Sequence, residues 1–217
     1  MFPIRDTQPS YSKPVVTIVI ILLNVLVFLF MLTLDPWTRN AFISAYGLVP
    51  EHFAWANVLT SMFLHGGWMH LIGNMWFLWI FGDNVEDILG HGKYLIFYLA
   101  CGVAAALMQA LLTTDPRVPM VGASGAIAGV MGAYFILYPH ARVLIWFPPI
   151  FIFPVPAWLM LGYWGVSQFL SGAVTSVAES AQASGIAFWA HVGGFVVGIL
   201  LIKLFPQRRQ RFRYGTW

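Results

Sequence analysis

The chain has 217 residues, of which 59% are hydrophobic and 9% are charged, and its formal net charge is +3 with a pI near 9.2. A soluble domain carries roughly 25% charged residues, so this composition excludes a disordered chain and an ordinary cytosolic enzyme. The single cysteine, Cys101, excludes a disulfide scaffold. A polytopic membrane protein remains, and with no basic segment large enough for a binding face, no nucleic-acid partner is expected.

Six apolar segments predict an all-α integral membrane protein, since a helical span needs about 20 apolar residues. In chain order they are residues 15–34, 69–81 with flanks, 94–112, 124–138, 157–171 and 185–205. Between the first two, residues 35–68 are broken by prolines and charges but rich in aromatics, which predicts an interfacial loop. Residues 139–156 contain five prolines and cannot be a regular helix throughout.

Six spans place both termini on one side of the membrane. That side then holds nine of the eleven Lys and Arg residues, and the opposite side holds only Arg39 and Arg117. The positive-inside rule therefore predicts cytoplasmic termini. We expect a cytoplasmic segment 1–14, a six-helix membrane domain 15–205 and a basic cytoplasmic tail 206–217 that anchors topology or contacts anionic lipid. The expected location is the cell membrane.

Polar residues inside spans are costly and mark functional positions. Spans two, four and six all begin at the outer face, and each carries one reactive residue near that end. These are His70, Ser124 and His191, which therefore share one depth, about one to two helical turns below the surface. Asn74 follows His70 by four residues and projects from the same helical face.

Small residues predict that spans four and six pack backbone to backbone. They recur every four residues in both spans, at Gly125 and Gly129, and at Ala190, Gly194 and Gly198. Ser124 and His191 lie at the margin of this contact, so the hydroxyl can reach the imidazole. The pair would then form a nucleophile beside a general base.

Acyl transfer also needs donors for a developing oxyanion. The Asn74 amide, the His70 ring and the Ser124 backbone N–H are the candidates, and Gly122 lets the chain turn tightly before the serine. The acidic residues at 83–87 lie at the other end of span two, where they are expected to cap helix ends. We therefore predict a Ser–His dyad rather than a triad.

Two other interpretations stay open at this point. Ser124 alone is compatible with a packing residue, and His70 with His191 could hold a haem or face a quinone, as histidines on facing spans do in membrane carriers. The sequence has no H-E-x-x-H motif and no internal repeat, so neither an intramembrane zinc protease of that type nor a repeat-built transporter is indicated.

At these residues the chain resembles the rhomboid intramembrane serine proteases. Gly122-Ala123-Ser124-Gly125 matches the GxSG motif of that family, and His70 with Asn74 matches HxxxN. Residues 190–198, AHVGGFVVG, match AHxxGxxxG, with Gly194 in the motif, and His65 matches a further histidine at the start of the second span. The resemblance covers about residues 15–205.

The resemblance implies a six-helix bundle with a water-filled cavity open to the outer face. It implies Ser124 as nucleophile, His191 as general base, and an oxyanion hole of His70, Asn74 and the Ser124 amide. Gly122, Gly125, Gly194 and His65 would support them. The partners implied are single-span membrane proteins, cleaved near their outer end within the bilayer without metal or cofactor. A non-catalytic relative that binds membrane clients is the alternative, although such proteins usually lack the serine or the histidine.

Two departures from the rhomboid pattern are visible. Rhomboids often carry a Trp-Arg pair in the first loop, where this chain has Trp-Ala-Asn at 55–57, with Arg39 near Trp37 as a looser substitute. Some carry a tyrosine four residues after the serine, where this chain has Ala128, so another aromatic is needed to orient His191.

Lesser expectations concern the remaining histidines and a possible gate. His52, His91 and His140 fall at span ends and loops and should be solvated, and His65 is expected to be structural. The small-residue link at 172–184, placed over the cavity, and the proline-bounded fifth span are hypothesised to be moving parts that act as a gate.

Overall fold

The computed structural model describes residues 2–149, 151–177 and 187–206. Within these residues the chain forms eight α-helices and three β-strands. The helices are α1 Val15–Thr33, α2 Pro36–Tyr46, α3 Trp55–Thr60, α4 Trp68–Leu89, α5 His91–Leu112, α6 Ser124–Leu137, α7 Ala157–Val177 and α8 Phe188–Leu201. The strands are β1 Phe2–Asp6, β2 Arg142–Phe147 and β3 Phe151–Pro156, and short 3-10 turns lie at Pro50–His52 and Ser61–Phe63.

The helix α6 is the centre of the bundle. Every residue from Gly125 to Tyr134 is buried, which suits a helix made almost entirely of small and apolar side chains. It packs backbone to backbone on α8, as the spacing of small residues predicts. A methyl group on Gly194 would overlap the carbonyl oxygen of Gly125, and one on Gly198 would overlap that of Gly129. Only glycine allows the two helices to lie this close.

Among the described residues, two helices, α1 and α5, are long and apolar enough to cross a membrane. The helices α6 and α8 are apolar but have 14 residues each. At 1.5 Å per residue they extend about 21 Å, less than a bilayer core of about 30 Å. Helices this short leave room for a depression beyond one of their ends.

The buried carboxylate of Glu86 ties α1 to α4. Proline precedes α1, and its first N–H groups have no partner within the helix. Glu86 accepts hydrogen bonds from Val16 N and Thr17 N, each at 2.8 Å, and from Thr17 Oγ1. His91 Nδ1 also donates to the Glu86 carboxylate at 2.6 Å, and the His91 side chain is 45% exposed. The expectation that the acidic cluster caps helix ends is confirmed.

Within residues 139–156 the chain forms the two paired strands β2 and β3, so the five prolines of this stretch lie outside any helix. The strands β2 and β3 pair antiparallel from Arg142↔Pro156 to Phe147↔Phe151. The N-terminal strand adds to the other edge of β2, giving the sheet order β1-β2-β3. The N-terminal segment, predicted to lie at 1–14 outside the membrane domain, therefore contributes β1 to this sheet. We call the end of the bundle with these strands the strand end, and the opposite end the Ser124 end.

Side chains from the helices hold β1 in place. Tyr134 Oη, near the strand end of α6, donates to Asp6 Oδ2 at 2.5 Å, and Trp76 Nε1 on α4 donates to the Pro3 carbonyl at 2.6 Å. Further along, Asn84 Nδ2 donates to the Gln8 carbonyl at 3.0 Å. The N-terminal segment thus crosses α4 and reaches α6, the helix that begins at Ser124.

The anchoring of β1 should weaken as pH rises. Burial raises the pKa of the Asp6 carboxyl above its ordinary value of 3.8, against a smaller opposing effect of the Tyr134 hydrogen bond. A carboxyl with a raised folded-state pKa adds stability that is full below pH 3.8 and is lost as pH rises through the raised value. As pH rises from 3.8 through the raised pKa, hydrogen exchange of the β1 amides should therefore accelerate more than the intrinsic exchange rate does.

Asp6→Asn is the matched control, because an amide of the same shape does not titrate. The pH-dependent part of the β1 protection should disappear in Asp6→Asn. An identical pH dependence in the two proteins would contradict the assignment.

The helix bounds differ most from the predicted spans at three places. The helix α8 ends at Leu201, four residues before the predicted end at 205, and turns follow it. The helix α4 continues to Leu89 rather than ending at Phe81, because its acidic residues have partners in the N-terminal segment, where Ser12 Oγ donates to Asp87 at 2.5 Å. The helix α7 continues to Val177, so the first half of the predicted link at 172–184 is helical. Residues 178–184 and the basic tail at 207–217 lie outside the described residues.

Candidate active site

Ser124 is the first residue of α6, and three backbone hydrogen bonds hold the loop before it. The Gly122 N–H donates to the Ser61 carbonyl at 2.9 Å, and Met120 and Leu48 exchange both backbone hydrogen bonds in an isolated bridge. Gly122 has a φ of 125°, which glycine adopts without strain. A Cβ there would also lie 2.6 Å from His70 Nε2. Glycine is required on both grounds.

The dyad geometry expected from the sequence is present. His191 Nε2 lies 2.8 Å from Ser124 Oγ, although the two residues are 67 positions apart in the chain. The close contact of α6 and α8 brings them together. The start of α8 is fixed by Gln109 on α5, whose Oε1 accepts from the Ala190 N–H at 3.0 Å. A serine hydroxyl bonded to an imidazole nitrogen is the arrangement of an activated nucleophile.

The other nitrogen of His191 has a partner that sequence reasoning missed. Nδ1 lies 2.7 Å from Gln168 Oε1 on α7. The Trp164 ring, one turn earlier on α7, lies 5.7 Å from the imidazole at an interplanar angle of 35°. Trp164 is therefore the aromatic neighbour of the His191 ring, since Ala128 has no aromatic side chain. Gln168 is a polar residue inside the predicted fifth span, which is the signal in the sequence that points to it. The depth shared by the reactive residues of spans two, four and six does not include it.

His65, His70 and Asn74 form one cluster on the wall facing the dyad. Asn74 Nδ2 donates to His65 Nε2 at 2.8 Å, and the His65 and His70 rings meet edge to face at 5.0 Å. His65 is 1% exposed, so it orients the Asn74 amide from behind, in agreement with its expected structural role. His70 and Asn74 reach the same cavity as Ser124.

A cavity of about 490 Å³ contains these groups. Its polar lining is Ser124, His191, His70 and Asn74, and the rest is mainly apolar. No carboxylate lines it in the part of the chain that the structure describes, and the Asn74 amide and the His70 ring reach the same cavity as Ser124 and His191. Among residues 2–149, 151–177 and 187–206, no group of three or more His, Cys, Asp or Glu side chains could hold a metal ion.

The comparisons with known proteins agree with the motifs. A family model described as the Rhomboid domain matches residues 52–208. The chain belongs to the rhomboid family. It is 31% identical over 181 residues to "Rhomboid protein 1, mitochondrial" of Saccharomyces cerevisiae, covering 78% of this chain and 49% of that protein. It is 34% identical over 127 residues to "Rhomboid protease GluP" of Bacillus subtilis, covering 56% of this chain and 24% of that protein.

A third relative is "Rhomboid-like protein 11, chloroplastic" of Arabidopsis thaliana, at 29% identity over 160 residues, 70% of this chain and 52% of that protein. The chain thus spans about half the length, or less, of these relatives. Family membership makes this a helical integral membrane protein of the bilayer, in a family that includes a protease.

Asn57 lies in the stretch 55–57 that corresponds to the Trp-Arg position of the first loop. Its Nδ2 donates to the carbonyls of Ala45 and Gly47, at 3.1 and 3.0 Å, and so joins α3 to the end of α2. The residue after Gly47, Leu48, bridges to the loop before Ser124. Asn57 rather than Arg39 makes this side-chain contact, and Trp37 beside that arginine is 80% exposed.

Replacing Asn57 with alanine should lower both stability and activity. The change leaves the part-buried Gly47 carbonyl without its donor, which costs about 1–3 kcal/mol, whereas the exposed Ala45 carbonyl can bond to water instead. It also loosens the loop that positions Gly122, so we expect an activity loss of about 5- to 10-fold, corresponding to about 1–1.4 kcal/mol. Thermal unfolding in detergent and a cleavage assay measure the two effects.

Asn40→Ala is the matched control, since Asn40 lies exposed on α2 outside this contact. Equal effects of the two alanine substitutions would show that Asn57 has no special role in the loop.

Proposed function

We propose that the chain is an intramembrane serine endopeptidase that cleaves single-span membrane proteins near the outer face of the membrane, with Ser124 as nucleophile and His191 as general base. The observation that carries the proposal is the 2.8 Å contact between Ser124 Oγ and His191 Nε2 inside a cavity with polar donors opposite. Membership of a family with a named protease supports it.

The first step forms an acyl-enzyme. Ser124 Oγ bonds to the peptide carbonyl carbon while its proton moves to His191 Nε2. The carbonyl oxygen becomes an oxyanion, for which the Asn74 amide, the His70 ring and the Ser124 backbone N–H are the donors. The peptide C–N bond then breaks, and His191 returns the proton to the leaving amine.

The second step releases the other product. A water molecule in the cavity gives a proton to His191 and attacks the ester carbon. The Ser124 Oγ–C bond breaks, and Oγ takes the proton back from His191. The cavity supplies that water in a protein otherwise surrounded by lipid.

The substrate segment must lose helical structure at the cleaved bond, because the backbone of a membrane helix is satisfied by its own hydrogen bonds. A second cavity of about 500 Å³ lies beside the first and shares Phe77 of α4 and Trp164 of α7 with it. This lateral space between α4 and α7 is the proposed route for the substrate. The hypothesis that α7 moves as a gate belongs to this proposal.

Orientation and location are proposed on the charge distribution and on the relatives. The strand end, which carries the N terminus, lies on the Lys- and Arg-rich side, proposed to be cytoplasmic. A cell membrane is the proposed location, and the mitochondrial and chloroplastic names of two relatives point to an organelle membrane as the alternative. Cell fractionation with an epitope at the N terminus distinguishes the two.

The test uses the purified protein in liposomes with a single-span substrate and a fluorophosphonate probe. We expect substrate cleavage near the outer end of the span and covalent labelling at Ser124. A protein that binds the substrate but neither cleaves it nor labels would be a client-binding protein. A visible absorption band from bound haem would favour the carrier. Either result would overturn the proposal.

A further inference from the structure

A continuous hydrogen-bond chain runs from the dyad into α7. Ser124 Oγ and His191 Nε2 are 2.8 Å apart, and His191 Nδ1 and Gln168 Oε1 are 2.7 Å apart. Gln168 Nε2 then lies 3.3 Å from Ser167 Oγ, which donates to the Trp164 backbone carbonyl at 2.6 Å. Five groups are joined in a line, three of them on one turn of α7.

The Trp164 carbonyl, at the far end of this hydrogen-bond chain, determines which group donates and which accepts at each link. A backbone carbonyl only accepts, so the Ser167 hydroxyl proton is committed to Trp164 and the Ser167 oxygen is left as an acceptor. It accepts from the Gln168 NH₂ group, which turns the Gln168 carbonyl oxygen toward His191. With the amide reversed, the Gln168 oxygen would face the Ser167 oxygen with no proton between them.

The orientation of the Gln168 amide in turn determines which nitrogen of His191 carries the proton. A neutral histidine carries one proton, and the Gln168 oxygen can only accept. The proton of His191 therefore sits on Nδ1, and Nε2 presents its lone pair to the Ser124 hydroxyl. A general base facing Ser124 needs this tautomer, since the other one would offer the serine an N–H instead of a proton acceptor.

We propose that Gln168, held by Ser167 and the Trp164 carbonyl, is a positioning residue that fixes the tautomer and ring orientation of His191. Gln168 thus has the role that an acidic residue would have in a triad. Its amide orients the His191 ring and stays neutral when the imidazole becomes protonated. The kinetic consequences of this proposal rest on the proposed protease activity, but the tautomer itself does not.

Three variants separate positioning from packing. Gln168→Leu keeps most of the volume and removes the acceptor, and Gln168→Glu restores an acceptor that carries charge. Thr175→Val is the control, because Thr175 lies seven residues beyond Gln168 on α7 and, among the described residues, its hydroxyl donates to Gly172 O within the same helix. We expect Gln168→Leu to lower kcat about 10- to 100-fold with a smaller change in KM, less than the loss of a general base, about 10²–10⁴-fold.

The pH profile gives a readout that packing does not move. Gln168→Glu should recover much of the activity, and the acid limb of kcat should move to higher pH, because a carboxylate stabilises the protonated imidazole. His70 is the other titratable group lining the cavity, so the same profile is recorded in a His70→Asn background. The shift that Gln168→Glu causes should persist in that background.

A measurement without substrate tests the tautomer directly. In protein labelled with ¹⁵N-histidine, His191 is assigned by its loss in His191→Ala, and its Nδ1 should carry the proton. In Gln168→Leu the two tautomers should mix. If the wild-type protein fails to cleave or label while this tautomer is seen, only the proposed function fails.

The proposal is overturned if the wild-type imidazole carries its proton on Nε2. Equal losses of kcat in Gln168→Leu and Thr175→Val would overturn it as well, and so would an unchanged pH profile in Gln168→Glu.

Discussion

Replacing Ser124 or His191 with alanine should lower the cleavage rate by about three orders of magnitude or more, the loss expected when a nucleophile or its base is removed. This corresponds to at least about 4 kcal/mol of transition-state stabilisation. Without Oγ no acyl-enzyme forms, and without the imidazole the hydroxyl keeps its proton. The double variant should be hardly worse than either single one, because the two groups act as a unit.

The assay measures initial rates in liposomes for each variant at equal folded concentration. Ser10→Ala and His52→Ala are the matched controls, since the Ser10 hydroxyl donates locally to Ser12 O within the described part of the chain and His52 is exposed. Both should cleave at the wild-type rate. Retained cleavage in Ser124→Ala would end the serine-protease interpretation.

The second large effect is expected at Gly194. A methyl group there overlaps the Gly125 carbonyl, which belongs to the backbone and cannot turn away as a side chain can. The helices α6 and α8 must separate, at a cost of about 1–3 kcal/mol or more. Because Gly125 adjoins Ser124, the separation also lengthens the dyad contact, and a misplacement of about 1 Å can cost about 100-fold in rate.

Thermal unfolding and cleavage of Gly194→Ala measure these losses. Gly92→Ala is the matched control, since a methyl group on Gly92 of α5 meets nothing within 4 Å. It should leave activity unchanged and raise stability slightly, as alanine favours helix over glycine by about 1 kcal/mol. A Gly194→Ala protein as stable and active as the control would show that α6 and α8 do not need their close contact.

The parts of the structure that the sequence predicted are those encoded along one helix. Long apolar runs predicted α1 and α5 to within a few residues, and the four-residue spacing of small residues predicted the contact that joins Ser124 to His191. Both signals depend only on helical periodicity and on composition, so a single sequence contains them.

The parts that escaped prediction depend on partners distant in the chain. Asn57 and Gln168 are ordinary polar residues until the fold brings Gly47 and His191 to them. The strand β1 is five residues long with no clear alternation, and its pairing with β2 spans more than 130 positions. The lengthening of α4 follows from the same strand-end contacts, which no local pattern indicates.

In the proposed mechanism the helix α7 has two roles that cannot be fulfilled at the same time. It lines the lateral cavity through Tyr163 and Trp164, and it supplies the Gln168 oxygen bonded to His191. An outward movement of α7 that widens this cavity would pull that oxygen away and leave the base unaligned. In the proposed protease, substrate entry and cleavage would then be successive events, and a bulky peptide that holds α7 in the outward position would stay bound without being cleaved, as an inhibitor.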